Sequence, residues 1–358
     1  MAETVLAPEE RQRLRREAAV VLAANDVGGW TTPSSGQYPH QWNWDTAFVA
    51  LGWARLDWQR ATTEIESLLR GQWQDGMVPH TVYDPAHLDS YFPGPDRWPN
   101  AGGRTRVTGV ATSGISNPPV VASTAVGLGR LQPDSGRRAD FYARVYPGLV
   151  DWLRWFACDR TLDGCPLPVI VHPWESGWDN SPRWDFLRGA GLRPRRPFQR
   201  TDRAHVSAEQ RPTDGEYRAY LALIELLGES GYSLPRYRQV SPFLIHDVLL
   251  DAVWYGAAVD AAEMAAVLGR PAPFDRGQLR EFSAAFEEPP LEPRDRGLRG
   301  LRPGDRAPPD GRGDARRPGG TAAGPVLARA GAGGAGALPR LGAGPDPTVV
   351  GTALAVGL

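Results

Sequence analysis

Residues 169–185 read VIVHPWESGWDNSPRWD, and the rest of the chain is organised around them. Glu175, Asp179 and Asp185, with Asp163 just upstream, stand among Trp174, Trp178 and Trp184. Carboxyl groups set among indoles are what a sugar-cleaving site requires. An acid protonates the glycosidic oxygen, and flat apolar rings stack on the C–H faces of pyranoses. The same residues also describe an ordinary loop-to-helix junction, with Ser181 as cap and Pro182 in the first helical position. The two descriptions agree, because a cap fixes the loop that presents Asp179.

Outward from that stretch the chain reads as helices. Apolar positions recur every three and four residues over 8–24, 45–56, 58–73, 118–131 and 138–158 before it. The same pattern returns over 214–230, 243–268 and 275–288 after it. Tyr142, Val145, Leu149, Trp152 and Phe156 share one stripe of the 138–158 helix, and Pro147 within it predicts a kink. Asp75 and Gly76 break the 58–73 helix. A short PVIV run at 168–171 is almost the only period-two alternation, so the body is predicted all-α, with about eight helices. Residues 76–116 form a long irregular stretch. A loop of that length is functional or disordered, and its aromatic content favours function.

The bulk composition narrows the classes. With 358 residues the chain is long enough for one large domain or two ordinary ones. A net charge of −1 points to neither a nucleic-acid nor an anionic-membrane partner. All 40 Lys-plus-Arg positions are arginine, which GC-rich coding explains better than function does. Cys158 and Cys165, flanking a turn, predict a reduced pair rather than a disulfide framework. The apolar run at 18–24 is too short and too late for a secretory signal or a membrane span, so a cytoplasmic protein is expected. The oligomeric state stays open, a homo-oligomer included. Several of the 13 tryptophans lie in Gly- and Pro-rich loops, where core packing does not account for them. They point to a site for flat apolar faces.

Further candidate residues cluster at helix entrances. YPHQWNWD at 38–45 sets Tyr38, Gln41, Trp42, Trp44 and Asp45 together as a candidate sugar subsite. Asp45 reads either as a first-turn acid, the commoner role, or as a partner for paired sugar hydroxyls. GQWQDGMVPH at 71–80 contributes His80 in the same style. RPTDGEY at 211–217 opens a helix, and its Arg211 and Tyr217 either pack there or clamp a substrate carboxylate. The six histidines lack metal-ligand spacing, no glycine-rich run follows a strand, and there is no G-x-S-x-G elbow. No metal and no cofactor is therefore expected, and SGISNPP at 113–119 lacks the strand-turn-helix context of a serine nucleophile.

In order, YPHQWNWD, GQWQDGMVPH, YFPGP, SGISNPP, WESGWDNSPRWD and RPTDGEY resemble the bacterial mannosylglycerate/glucosylglycerate hydrolases of glycoside hydrolase family 63, over roughly residues 10–288. The resemblance implies a catalytic (α/α)6 barrel and an inverting mechanism with two carboxylates and no metal. It matches Asp179 to the general acid. Tyr38, Trp42, Trp44, Asp45 and His80 match the sugar subsite, and Arg211 and Tyr217 the pair that receives the glycerate carboxylate. Gln41 and Trp178, inside the same motifs, are counted with them as substrate-binding candidates. Asn117 stands where relatives often carry glutamine, an amide on a longer stem.

The pattern then departs from the family. An inverting hydrolase needs a second carboxylate about 6.5–9.5 Å from the acid. The family carries it in a motif like E-Y-F-D-P-x-T-G-E, and no such stretch occurs here. Glu281, Glu287 and Glu288 lie on an ordinary helix. From Pro289 to Leu358 there is no aromatic residue, and Gly, Ala, Pro and Arg fill 49 of the 70 positions. That composition predicts a disordered tail, compatible with a GC-rich gene read out of frame. The expectation is therefore a 1–288 catalytic domain of (α/α)6 type, incomplete at its C-terminus and exposing apolar helix faces that lower solubility. Its substrate would be a small glycosyl-glycerate. The alternatives are an α-glucosidase, trehalase or debranching-type enzyme on neutral glucosides, or a sugar-binding protein without turnover.

Overall fold

The computed structural model describes residues 7–287 apart from 163 and 201–210; the expected disordered tail lies outside the described residues. Among them the chain forms α1 (Pro8–Asn25), β1 (Gln41–Trp42), α2 (Asn43–Trp53), α3 (Trp58–Leu69) and β2 (Thr81–Val82). There follow α4 (Val120–Leu131), α5 (Ser135–Asp159), α6 (Asp214–Glu229), α7 (Leu234–Tyr237), α8 (Val248–Val267) and α9 (Arg276–Glu287). Single 3₁₀ segments lie at Pro173–Ser176 and Pro182–Gly189.

Side-chain caps set most of the long helices' starts. Asp57 accepts from the amides of Gln59 and Arg60 at the head of α3, and Asp134 from Arg137 at the head of α5. Thr213 and Glu216 form a reciprocal capping box on α6. Asp247 caps α8 through the amides of Leu249 and Leu250. The apolar faces then close on one another. α2 packs between α3 and α4, α4 and α5 pack on α8, and α9 lies across α8. Trp254 of α8 is buried with its ring stacked on Phe282, and its indole N–H donates to the Leu153 carbonyl of α5 at 2.9 Å.

Two boundaries differ from the sequence pattern, each for a local reason. The helix predicted over 243–268 begins at Val248, because Ile245 pairs with Ile170 in an isolated antiparallel bridge and Asp247 turns the chain. The apolar PVIV run thus finds its ladder partner here. The helix predicted to reach 73 ends at Leu69, since Trp73 turns back to bridge Thr105. Gly76 beyond it has φ +107°, and a Cβ there would lie 2.7 Å from the Asp151 carbonyl oxygen, so only glycine fits. α5 is one helix from Ser135 to Asp159 through Pro147, with the carbonyl of Gly148 accepting from Gln72 Nε2 at 2.7 Å.

Residues 76–116 are not a featureless loop. β2 pairs with β1 in antiparallel register, Gln41 opposite Val82 and Trp42 opposite Thr81. Val82 bridges Thr112, and Trp98 is buried with its N–H on the Tyr83 hydroxyl at 2.7 Å. These contacts bring His80 beside the entrance of α2. Cys158 and Cys165 are not joined in a disulfide.

Asp251, in the first turn of α8, is buried and has one carboxyl oxygen without a hydrogen-bond partner. Burial, with the neighbouring Asp247 carboxylate, pushes its pKa up to about 8. The folded chain therefore keeps a proton that the unfolded chain loses near pH 3.9, and stability declines as pH rises toward 8. Asp251→Asn is expected to be neutral near pH 4 and increasingly stabilising up to pH 8, by at most about 1.4 kcal/mol per pH unit, measured as urea midpoints across that range.

Candidate active site

A cavity of about 440 Å³ opens between the entrance of α2, the 76–116 stretch, the 173–179 turn and the head of α6. Its position depends on a buried ion pair. Arg160, at the end of α5, donates two hydrogen bonds to Glu175 at 2.7 and 2.8 Å. The same carboxylate accepts from the amides of Ser116 at 3.0 Å and Val171 at 2.7 Å. Both side chains are almost fully buried, and the guanidinium lies over the Trp155 ring at 4.6 Å. Glu175, one of the four acids of the 163–185 region, is thus wholly engaged within the fold. His172 fixes the same turn: its Nδ1 accepts from the Trp174 amide, and its Nε2 faces the Tyr220 carbonyl at 3.1 Å. The first contact requires an unprotonated Nδ1, so the proton sits on Nε2. Burial keeps the ring neutral, with its pKa lowered to about 3.

Asp179 follows at the tip of the next turn. Gly177, at φ +71°, allows the reversal, and a Cβ there would meet the Trp44 ring at 3.3 Å. Tyr220 Oη donates to the Asp179 carbonyl at 2.9 Å and anchors its backbone from α6. The Asp179 carboxyl lines the cavity, and burial raises its pKa above the usual carboxylate value against the opposing pull of Arg211. Asp45, in the first turn of α2, also lines the cavity and is likewise raised by burial. Asp45 and Asp179 are the only carboxylates on the lining among the described residues.

The other walls are aromatic and amide-bearing. His80 stacks parallel to Trp174 at 6.4 Å, its pKa lowered by burial to about 4, so it is neutral at physiological pH. Asn117 donates its amide to the Trp174 carbonyl at 3.1 Å, while its buried Oδ1 has no partner. Such an acceptor is costly to leave unmade and suits a ligand hydroxyl. Arg211 Nη1 donates to Tyr38 Oη at 2.9 Å, and Tyr217 lies beside it with Arg200 over its ring at 4.3 Å. Trp42 stands edge-on to Tyr38 and Tyr91.

The cavity brings together Asp179, Tyr38, Trp42, Trp44, Asp45, His80, Asn117, Arg211 and Tyr217. Two candidates fall elsewhere. Gln41 is buried behind the wall, donating to the Glu64 carbonyl and to Thr46 while accepting from Ser67, because its strand position turns it away from Trp42. Trp178 is 58 % exposed and off the lining, since its backbone carbonyl is held by Ser181 and Trp184 and its ring packs on Arg183. Sequence reasoning passed over Tyr91 and Phe92 as lining residues, and named Trp174 among the indoles around the acids without giving it a subsite. The signal for the first two was the YF pair before Pro93.

No group of three or more His, Cys, Asp or Glu side chains among the described residues is arranged to hold a metal ion. A shallower depression of about 450 Å³ lies behind Phe92, between Leu88 and Phe198. Its acids Asp89 and Asp96 stand exposed, whereas Asp45 and Asp179 of the main cavity are half-buried.

A half-buried acid among stacked rings in a helical frame marks a carbohydrate-processing domain. Residues 38–288 match the mannosylglycerate hydrolase MGH1-like glycoside hydrolase domain, and the chain belongs to that family. It is 43% identical over 256 residues to the mannosylglycerate hydrolase of Thermus thermophilus, covering 70% of this chain and 60% of that protein. The glucosylglycerate hydrolase of Mycolicibacterium hassiacum is 38% identical over 271 residues, with 72% and 60% covered. A crystal structure of a GH63 mannosylglycerate hydrolase from Thermus thermophilus with Tris and D-glycerate superposes at a TM-score of 0.69 and 38% identity. That match covers 76% of this chain and 64% of that one. The body is thus an all-α glycosidase fold, and the chain spans about three fifths of the length of these curated relatives.

Glu175→Gln tests the frame of the site. It leaves the Arg160 guanidinium buried without its counter-charge, a change that costs about 3–5 kcal/mol in comparable pairs. The expected outcome is a loss of unfolding free energy of that order, read by calorimetry.

Proposed function

We propose that the cavity is the substrate site of an inverting α-glycoside hydrolase acting on mannosylglycerate or glucosylglycerate. The observation that carries this reading is Asp179, an acid whose pKa is raised by burial on an aromatic wall that also holds an arginine–tyrosine pair. In this reading Asp179 donates its proton to the glycosidic oxygen as the bond to the sugar breaks. Trp42, Trp44 and Trp174 offer apolar faces to the pyranose, and Asp45, neutral His80 and the free Oδ1 of Asn117 bond its hydroxyls. Arg211 receives the glycerate carboxylate through a two-pronged contact, with Tyr38 and Tyr217 beside it. The helices seen here would form part of an (α/α)6 barrel.

Inversion requires a second carboxylate to activate water, and Asp45 is the only other acid on the lining among the described residues. That observation favours a second reading, a protein that binds the glycoside without turning it over. Hydrolysis of both glycosyl-glycerates by the 358-residue chain, followed as released sugar, separates the two. Turnover that disappears in Asp179→Asn supports the hydrolase with Asp179 as acid. Calorimetric binding of mannosylglycerate with no release of sugar supports the second reading.

Carboxylate recognition has its own test. Arg211→Ala is expected to weaken binding of glycosyl-glycerates by roughly 10- to 100-fold, from the loss of charge-assisted bonds worth about 1.5–3 kcal/mol. Neutral α-glucosides should be unaffected. An equal loss for both classes, or none for either, would shift the assignment to a neutral-glucoside enzyme.

A further inference from the structure

The turn that carries Asp179 is closed on itself and fastened at two points. Trp178 accepts from the Ser181 amide at 3.0 Å and from Trp184 Nε1 at 2.9 Å, leaving Asp179 and Asn180 at the tip. Ser181 Oγ in turn accepts from Nε of Arg183 at 3.1 Å. One fastening is Tyr220 Oη on the Asp179 carbonyl. The other is Arg183, whose guanidinium lies over Trp184 at 4.6 Å and Trp178 at 5.5 Å and donates to Asp247 Oδ2 at 2.6 Å. Asp247 is fully buried and divides its labour by atom. Its Oδ1 caps α8, accepting from Leu249 and Leu250, while Oδ2 serves Arg183 alone among the described contacts.

A helix cap needs only one of those oxygens, so the α8 start does not explain the ion pair. Nor does packing economy explain it. Arg183 Nη2 and Asp251 Oδ1 are both left buried without hydrogen-bond partners in this cluster. Unmade buried polar groups oppose stability, and a hydrophobic contact would hold two segments together at less cost. What the arginine supplies is direction: a planar donor locked between two indoles that flank Asp179 in sequence and tied to the head of the central helix.

We infer that Asp247, acting through Arg183, is a positioning residue that holds the Asp179 carboxyl against the cavity wall. The inference rests on the assignment of Asp179 as proton donor, but the carboxyl's placement is measurable without turnover. If the pair sets that placement, loosening it lets the carboxyl reach solvent.

The experiment uses the full chain labelled with ¹³C at aspartate carboxyls, with Asp179→Asn to identify the resonance. Asp247→Asn keeps an oxygen for the α8 cap and removes the charge facing Arg183. Asp247→Asn with Arg183→Met removes both charges, so neither is stranded should the single variant unfold. The expected result is a folded protein in which the Asp179 titration moves down toward the ordinary carboxylate value near 3.9. Wherever hydrolysis is measurable, kcat should fall roughly 10- to 100-fold with KM unchanged. An Asp179 titration identical to wild type in the folded double variant overturns the inference, whatever happens to the melting temperature. Turnover surviving Asp179→Asn instead overturns the donor assignment and leaves the titration result to be judged on its own.

Discussion

The site depends on one buried carboxylate that takes no part in binding. Glu175 gathers four donors from three places: two from Arg160 at the end of α5, one from Ser116 before α4, and one from Val171 ahead of the turn. Each donor belongs to a different wall of the cavity or its support. Ser116 precedes Asn117, Val171 precedes the His172–Trp174 corner, and Arg160 caps the longest helix of the core. A hydrophobic residue in place of Glu175 could fill the volume, but it would leave the amides of Ser116 and Val171 unmet and Arg160 uncompensated. The charge is retained because it fixes where three segments meet, not because an ion pair is intrinsically stabilising.

Much of this was legible in the sequence. Helix positions followed from apolar spacing to within a few residues, and the fold shows Asp57 and Asp134 capping two of the starts. The ordered set of loop motifs pointed to one site, and nine of its eleven candidate residues line one cavity. What could not be read was the partner of each group. Glu175 and Asp179 are four residues apart in similar company, yet one is sealed in an ion pair and the other opens on the cavity. The difference lies in Arg160 and in Tyr220, both brought close only by the fold. Gln41 and Trp178 misled for the same reason: each has the right chemistry beside the right neighbours and points the wrong way. The 243–268 helix was overrun because β-branched Ile245 finds Ile170 across the chain, a pairing no local window contains.

The walls show how one pocket can treat its groups differently. Asp179 and Asp45 are both pushed toward the neutral acid by burial, while His80 and His172 are pushed toward the neutral base by the same cause. Burial is thus the common cause of all four shifts, and Arg211 is a cation on the same lining. Under the proposed function, the carboxylate of a glycosyl-glycerate would meet Arg211 and its hydroxyls the aromatic and amide-bearing walls.

The cavity draws its lining from Pro33 at one extreme to Tyr217 at the other. Its parts therefore come together only when segments nearly two hundred positions apart have closed. The entropy of closing so long a span grows only slowly with its length, but a piece that ends before the 173–179 turn lacks Asp179, Arg211 and Tyr217. Ligand affinity should therefore appear with the last stage of collapse rather than accumulate along it. A folding intermediate built from β1 to α5 would hold Trp42, Asp45 and His80 and still lack Asp179.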